Sequence, residues 1–467
     1  MELKNGLKND TELLQKIAVV AVFPLLVSPL IQFVRNCLWP ERSFGLFGQE
    51  STYPWTIELI NAFAGAGIIL LWIMFLYTIW RGSDSFKKAF IRMLPQSFFL
   101  LLVVWAVVAS VIKGHTLYFT EGAPVLSESM MTFALYFAGY FFVGILLSQE
   151  KYRRIVVLTI IGGGTIIGIL SLIDFFGVSL KPGFYDNKVS AVFYNSNHYA
   201  YYLTICILLA AVSFVYEKKL WLRCVLLCSF VCNTVVLIVN DTLGSFLAVL
   251  FALGGFVWLV ASGKTTKAPE QRKRETKSAV VLLCGYLLIT IIMSFFYNTI
   301  FRSLVVMVFD IGKILTDAED KDRAGNSRFR IWRYTIQYIR EEPIFGHGVD
   351  EIAMRLYKDS GFSRSHNEYL QYTAFWGIPG LLLYLLACGA VFVRGLKERF
   401  VQQPYVCAAF VAAAGYMASA FFGNTKYYVS PFFFIVLGIA ASGATWSCVN
   451  KGKLLRNDEK KFKEMGK

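Results

Sequence analysis

About twelve stretches of roughly 20 apolar residues each follow one another along the chain, and no other feature constrains its fold so tightly. They lie near 15–34, 57–80, 95–112, 128–147, 155–176, 198–215, 220–239, 242–262, 279–298, 367–393, 405–422 and 429–448, mostly with short polar links between them. A run of that length matches the hydrocarbon thickness as a helix and is far too long for a barrel strand. The expectation is an all-α, polytopic integral membrane protein in which residues 1–467 form a single membrane domain. A hydrophobic content of 56% and a mean hydropathy of +0.54 agree with this, since a soluble chain would carry more charge. No repeat with a period of roughly 20 to 50 residues is present, nor a pair of Gly/Pro-broken helices in matching halves of the kind transporters carry.

Lys and Arg number 46 and fall unevenly when the links are assigned alternately to two faces. One face collects Lys4, Lys8, Lys16, the links Arg81–Arg92, Lys151–Arg154, Lys218–Arg223, Lys264–Lys277 and Arg394–Arg399, and the Lys451–Lys467 tail. The short links of the other hold Arg35, Arg42, Lys113, Lys181, Lys188 and Lys426. By the positive-inside bias, both termini are expected in the cytoplasm and the long 299–365 segment outside. The net charge of +15 is thereby a matter of topology, and with no soluble basic stretch interleaved with aromatics, nucleic acid is not an expected partner. The first apolar run ends in bulky Phe33 and Val34 without a small-x-small site, so it should remain as a span. Of nine cysteines only Cys37 falls in an outer link, which leaves no disulfide framework.

The 299–365 segment is patterned rather than linker-like. Asp310–Asp322 is acidic and polar, and Gly325-Asn326-Ser327 then offers a helix cap before Arg328. Phe329, Trp332, Ile336 and Ile339 recur at helical spacing down to Glu341, and Pro343 stops the helix. Such a helix would lie on the membrane surface with its apolar stripe down. Arg328, Arg330 and Arg333 gather at its N-terminal end, where free backbone N–H groups reinforce a positive field suited to phosphate. The plainer alternative is an interfacial helix whose arginines touch lipid headgroups. Downstream, Ser365 can cap a helix whose first turn holds His366, Asn367 and Glu368, before Tyr369 and Leu370 enter the membrane. An imidazole there, beside the arginines, is available as a base, or else it hydrogen-bonds the loop to the helix.

The elements R-x-x-x-W (Arg328, Trp332), P-I-F-G-x-G (Pro343 to Gly348), H-N-x-Y-L (His366 to Leu370) and G-x-x-G (Gly377, Gly380) resemble, in order and spacing, the O-antigen ligase and polymerase superfamily. The resemblance is strong across 327–380 and extends more weakly to KVSAVFYNSNHYAYYL, where Lys188, Asn195 and Asn197 match a basic residue and two asparagines and Ser196 stands in place of a proline. In the turn of NDTLGSFLAV (Asn240 to Val249) this chain lacks an arginine many members carry; Lys188, Arg330 or Arg302, in that order, could substitute. The family implies a GT-C-like, metal-independent glycosyltransferase of the bacterial cell envelope, without cofactor, whose 299–365 segment is an extracytoplasmic catalytic loop with amphipathic helices. Its donor would be a glycan on a polyprenyl diphosphate, with undecaprenyl the expected carrier. The acceptor hydroxyl would belong to a second lipid-linked glycan, as in a polysaccharide polymerase, or to a lipid, wall glycan or protein, as in a ligase. Arg328, with Arg330 and Lys188, would bind the diphosphate, and His366 would be the catalytic base. Asn195, Asn197, Asp241, Glu368 and Tyr369 are the candidate substrate contacts, with helix capping and turn formation equally open for Asn195, Asn197 and Asp241. A transporter or flippase for lipid-linked glycans is the rival; it predicts ionisable residues deep in the spans, whereas Glu58, Glu128 and Asp174 sit near span ends.

Overall fold

A computed structural model describes residues 2–38, 65–74, 76–77, 94–114, 129–180, 184, 189–193, 195–266, 268–424 and 428–443. Among them there is no strand. The helices are α1 (Glu2–Leu26), α2 (Ser28–Leu38), α3 (Gly65–Met74), α4 (Leu94–Ile112), α5 (Met130–Leu146), α6 (Glu150–Phe175), α7 (Ser196–Tyr216), α8 (Leu220–Asn240), α9 (Leu243–Ala261), α10 (Pro269–Tyr297), α11 (Ile300–Leu315), α12 (Arg328–Glu341), α13 (Gly348–Ser360), α14 (Glu368–Lys397), α15 (Pro404–Ala420) and α16 (Ser430–Gly443). Every expected apolar run meets one of these helices. Seven, namely α4, α6 to α10 and α14, are long and apolar enough to cross a membrane by themselves. The first run is instead a bent pair, α1 and α2, turning by 41° where Pro24 and Pro29 interrupt the hydrogen-bond ladder.

The run expected as one span over 367–393 is broken. At Trp376 and Gly377 the backbone leaves helical geometry, with Gly377 at φ 71°. A straight helix would separate residues 368 and 384 by about 24 Å. Instead, the Tyr384 hydroxyl donates to Glu368 Oε1 at 2.8 Å and the Tyr372 and Tyr384 rings lie 4.9 Å apart. The first nine residues of α14 therefore fold back along the rest.

What makes this elbow is the P-I-F-G-x-G stretch, which crosses it backbone to backbone. Ile378 N–H donates to Pro343 O at 2.8 Å and His347 N–H to Ala374 O at 2.9 Å. A Cβ on Gly377 would sit 1.9 Å from Ile344 O, and one on Gly346 (φ 68°) 2.6 Å from Phe375 O. Trp105 of α4 supplies the donor that the break leaves missing, its Nε1–H meeting Trp376 O at 2.7 Å. Behind the elbow, Phe133 and Phe137 of α5 pack edge-on against Tyr372 and Trp376, so a dense aromatic cluster fixes the fold-back. Gly377→Ala should consequently cost roughly 1–3 kcal/mol in backbone strain alone, with the clash in addition. Thermal unfolding in detergent is expected to show a clear drop in Tm and a poorer yield; an unchanged Tm would mean the elbow is not formed this way.

The 299–365 segment is more structured than its composition suggests. α11 runs through the first part of the stretch expected to be merely acidic and polar, and exposes Phe301, Val305, Val308 and Phe309 along one face. α12 has the expected limits, but it does not rest on an apolar stripe alone. It buries Ile331, Thr335 and Tyr338 against α13 and α14 while Ile336 is 40% exposed. Thr335 and Tyr338 can go inside because each has a partner, Ile331 O at 2.8 Å for Thr335 and the Asp359 carboxylate for Tyr338. An ion pair from Lys113 to Glu342 ties the end of α4 to the α12–α13 turn and holds the Glu342 carboxyl below the usual carboxylate range.

Candidate active site

Arg328 is the first residue of α12. Gly325, Asn326 and Ser327 before it all adopt left-handed conformations, at φ 61°, 56° and 67°. A capping residue ordinarily has an extended backbone, and with Ser327 left-handed the expected side-chain cap is not made. Arg328 donates through Nη1 to Gly325 O at 3.1 Å, while its Nε is buried and has no hydrogen-bond partner. Trp332 lies one turn on and on the same face, as the i, i+4 spacing of R-x-x-x-W requires. Its ring packs edge-on against Phe421 at 5.6 Å and tilted against Phe422 at 6.4 Å. Phe422 links this face to α7, since Tyr201 donates to Phe422 O at 2.9 Å.

His366 stands just ahead of α14 rather than in its first turn. The cap is Asn367, in an extended conformation with Oδ1 accepting from Leu370 N–H at 3.0 Å, while the Ser365 hydroxyl accepts from Thr335 at 3.4 Å. Asparagine is the cap instead of the expected serine because the helix begins at Glu368, which puts Asn367 and not Ser365 next to its first turn. His366 itself is left-handed at φ 49°, a conformation disfavoured for a residue with a side chain. Its ring takes the edge of Phe362 at 5.6 Å and places Nδ1 3.4 Å from Asn424 Nδ2. Residues 421–424 thus adjoin Arg328's face at one end and His366 at the other.

The remaining expected residues divide by what their side chains hold. Arg330 is two residues from Arg328 and so points elsewhere on the helix; its Nη2 donates to Ser360 O at 2.9 Å. Arg333 pairs with Asp322 at 2.7 Å. Glu368 is 1% exposed, with Oε1 accepting from Tyr384 and Oε2 from Tyr416 at 3.3 Å. The Tyr369 hydroxyl donates to Met417 O at 2.6 Å. Asn195 caps α7, its Oδ1 accepting from Asn197 N–H at 2.8 Å, and Asn197 is half-buried beside it. Asp241 forms the left-handed turn after α8 and accepts from the Ser303 hydroxyl of α11 at 2.9 Å. Arg302 is exposed on α11, and Lys188 lies outside the described residues. His347 is hydrogen-bonded to Tyr338 O and His198 to Tyr428.

Three groups at the site have weak sequence signals. Tyr201 lies inside an apolar run, Asn424 in a link too short to stand out, and Arg364 two residues before His366 is buried where composition suggests a solvated loop. Asp350, in the first turn of α13, is buried with Oδ1 unpartnered, and burial raises its carboxyl to about 6. Native protein therefore keeps this proton while the unfolded chain releases it near the ordinary aspartate value, so stability declines as pH rises from about 4 to about 6 and is then level. Asp350→Asn, neutral throughout, should show a higher Tm than the parent above pH 6 and the same Tm near pH 4. A difference independent of pH would rule out this origin.

Among the described residues no group of three or more His, Cys, Asp or Glu side chains is placed to hold a metal ion. The family model described as O-antigen ligase matches residues 228–385, a stretch that contains Arg328, the elbow and His366. No curated protein matches the chain.

Proposed function

We propose that the chain, whose residues 228–385 match the family model described as O-antigen ligase, transfers a glycan from a polyprenyl diphosphate, undecaprenyl diphosphate in a bacterial plasma membrane, to an acceptor hydroxyl. The observation that carries this reading is that Trp332, one turn from Arg328, and His366 both contact the 421–424 stretch. Arg328 brings a fixed cation with an unpartnered buried Nε, at a helix N-terminus that no side chain caps. Such a point suits the departing diphosphate.

The acceptor oxygen attacks the anomeric carbon as its proton passes to His366. The bond from that carbon to the diphosphate oxygen breaks, and the electron pair leaves on the diphosphate, where Arg328 meets the charge. The scheme needs no metal ion. A polymerase would present a second lipid-linked glycan as acceptor, a ligase a lipid, wall glycan or protein.

The test is reconstitution in vesicles with a labelled undecaprenyl diphosphate-linked oligosaccharide. The expected result is a new glycosidic bond with release of one undecaprenyl diphosphate per bond. Label that changes leaflet without forming a bond would make the protein a transporter. The positive-inside bias places the site outside the cell and the α9–α10 link inside. Impermeant thiol reagent should then reach Asp320→Cys and not Lys264→Cys in a background lacking Cys37, both positions being exposed; the opposite pattern would invert the topology.

A further inference from the structure

A second cleft lies at the end of α7 remote from Arg328 and His366. Tyr201 reaches Phe422 near the start of that helix, whereas Tyr216 closes it, about 22 Å further along the axis. There the start of α6, the end of α7, the α7–α8 link and the start of α15 surround a space of about 500 Å³, within the size range of small-molecule sites. Tyr216, Pro404 and Tyr405 give it apolar walls, and charged side chains form its rim.

The rim carries uncompensated positive charge. Glu217 is held by Arg154 Nη2 at 3.2 Å and by the N–H groups of Lys218 and Lys219 at 2.9 and 3.0 Å. Glu150 lies 3.6 Å from Arg153 Nη1, and Lys151 reaches Glu12 at 2.9 Å. Each carboxylate is thus matched by a cation, while Lys218 and Lys219 are exposed and make no ion pair among the described residues. Lys219 also precedes the first turn of α8 without giving it a side-chain cap, so the positive end of that helix adds to the field.

The residues next to the rim set its depth in the bilayer. Leu220 and Trp221, which open α8, are 73% and 64% exposed, and Ile155, beside Arg154 on α6, is 45% exposed. An exposed indole next to lysines marks a helix end at the level of the headgroups. The positive-inside bias puts this end in the cytoplasm, where the leaflet surface is negative. We propose that the cleft binds the anionic headgroup of a glycerophospholipid from the leaflet opposite the transfer site, with Lys218 and Lys219 on its phosphodiester and its acyl chains against Ile155, Leu220 and Trp221. The consequence reaches the other face through α15, which starts at this cleft and ends beside residues 421–424. A headgroup between the starts of α6 and α15 and the end of α7 braces that helix.

The experiment is thermal unfolding of the purified full chain in neutral detergent, titrated with phosphatidylglycerol, with phosphatidylcholine and with inorganic phosphate. Phosphatidylglycerol alone should raise Tm, in a saturable way. The double variant Lys218→Ala with Lys219→Ala should need roughly 25-fold more of it for the same shift, about 5-fold for each lysine removed. Lys273→Ala with Lys277→Ala, exposed on α10 at the same charged end but outside the cleft, should respond as the parent does. Each shift is read against the variant's own Tm without lipid, so a changed baseline does not mask it. The absence of any rise, a rise reproduced by phosphatidylcholine or by inorganic phosphate, a rise unchanged in the Lys218 and Lys219 variant, or one weakened equally in the α10 variant would each overturn the proposal.

Discussion

Replacing His366 with alanine is expected to lower glycan transfer by roughly 100- to 10,000-fold, the range for general-base catalysis, while donor binding at Arg328 persists. The backbone offers a sharper control. His366 sits at φ 49°, where glycine is at ease and other residues are strained by about 1–2 kcal/mol. His366→Gly should therefore be no less stable than the parent and yet inactive, a combination that a histidine serving only to bind loop to helix would not give. His366→Gln is the complementary probe, because its amide can preserve the contact with Asn424 but cannot take up a proton. Acidification should silence the parent as the imidazole protonates. A fully active His366→Gln would eliminate the base role.

How much of this was legible in the sequence depends on the kind of information each feature carries. The helices were legible because lipid leaves an apolar run of twenty residues one way to pair its backbone. α12 kept its limits because Pro343 cannot continue a helix. The fold-back in α14 was not, since its cause lies some thirty residues away: Gly377 turns only because Pro343 and Ile344 pass against it. The motif glycines were visible as letters, but their meaning is a contact between two separate segments. The site shows the same division. Arg328 and Trp332 form one face by helical spacing, which periodicity gives directly. The partners of Glu368 are of the second kind: Tyr384 and Tyr416, which donate to its carboxylate, are distant in the chain. Asn424 stayed hidden because proximity to His366 across 58 residues has no local signature.

Arg328→Lys should lower kcat about 100-fold, the range for removal of one transition-state donor. The substitution keeps the charge, so any large loss must come from geometry. A guanidinium offers five donors in a rigid fork that can grip two oxygens of a phosphate, whereas an ammonium is a strongly hydrated point charge on a flexible stem. At Arg328 one nitrogen is already tied to Gly325 O and another is buried without a partner. A lysine could satisfy the first contact or approach the diphosphate, but it could not do both. Neighbouring arginines calibrate the effect. Arg333→Lys, at an exposed position, retains an ion pair with half-buried Asp322, worth at most about 1 kcal/mol, and should leave kcat alone. Arg330→Lys weakens the link to Ser360 O and should appear in Tm before it appears in rate. The measurement is single-turnover transfer with saturating donor, so that binding and chemistry are separated. Equal rates for all three variants and the parent would remove the cation from the mechanism, and a loss confined to KM would reduce Arg328 to holding the donor in the ground state.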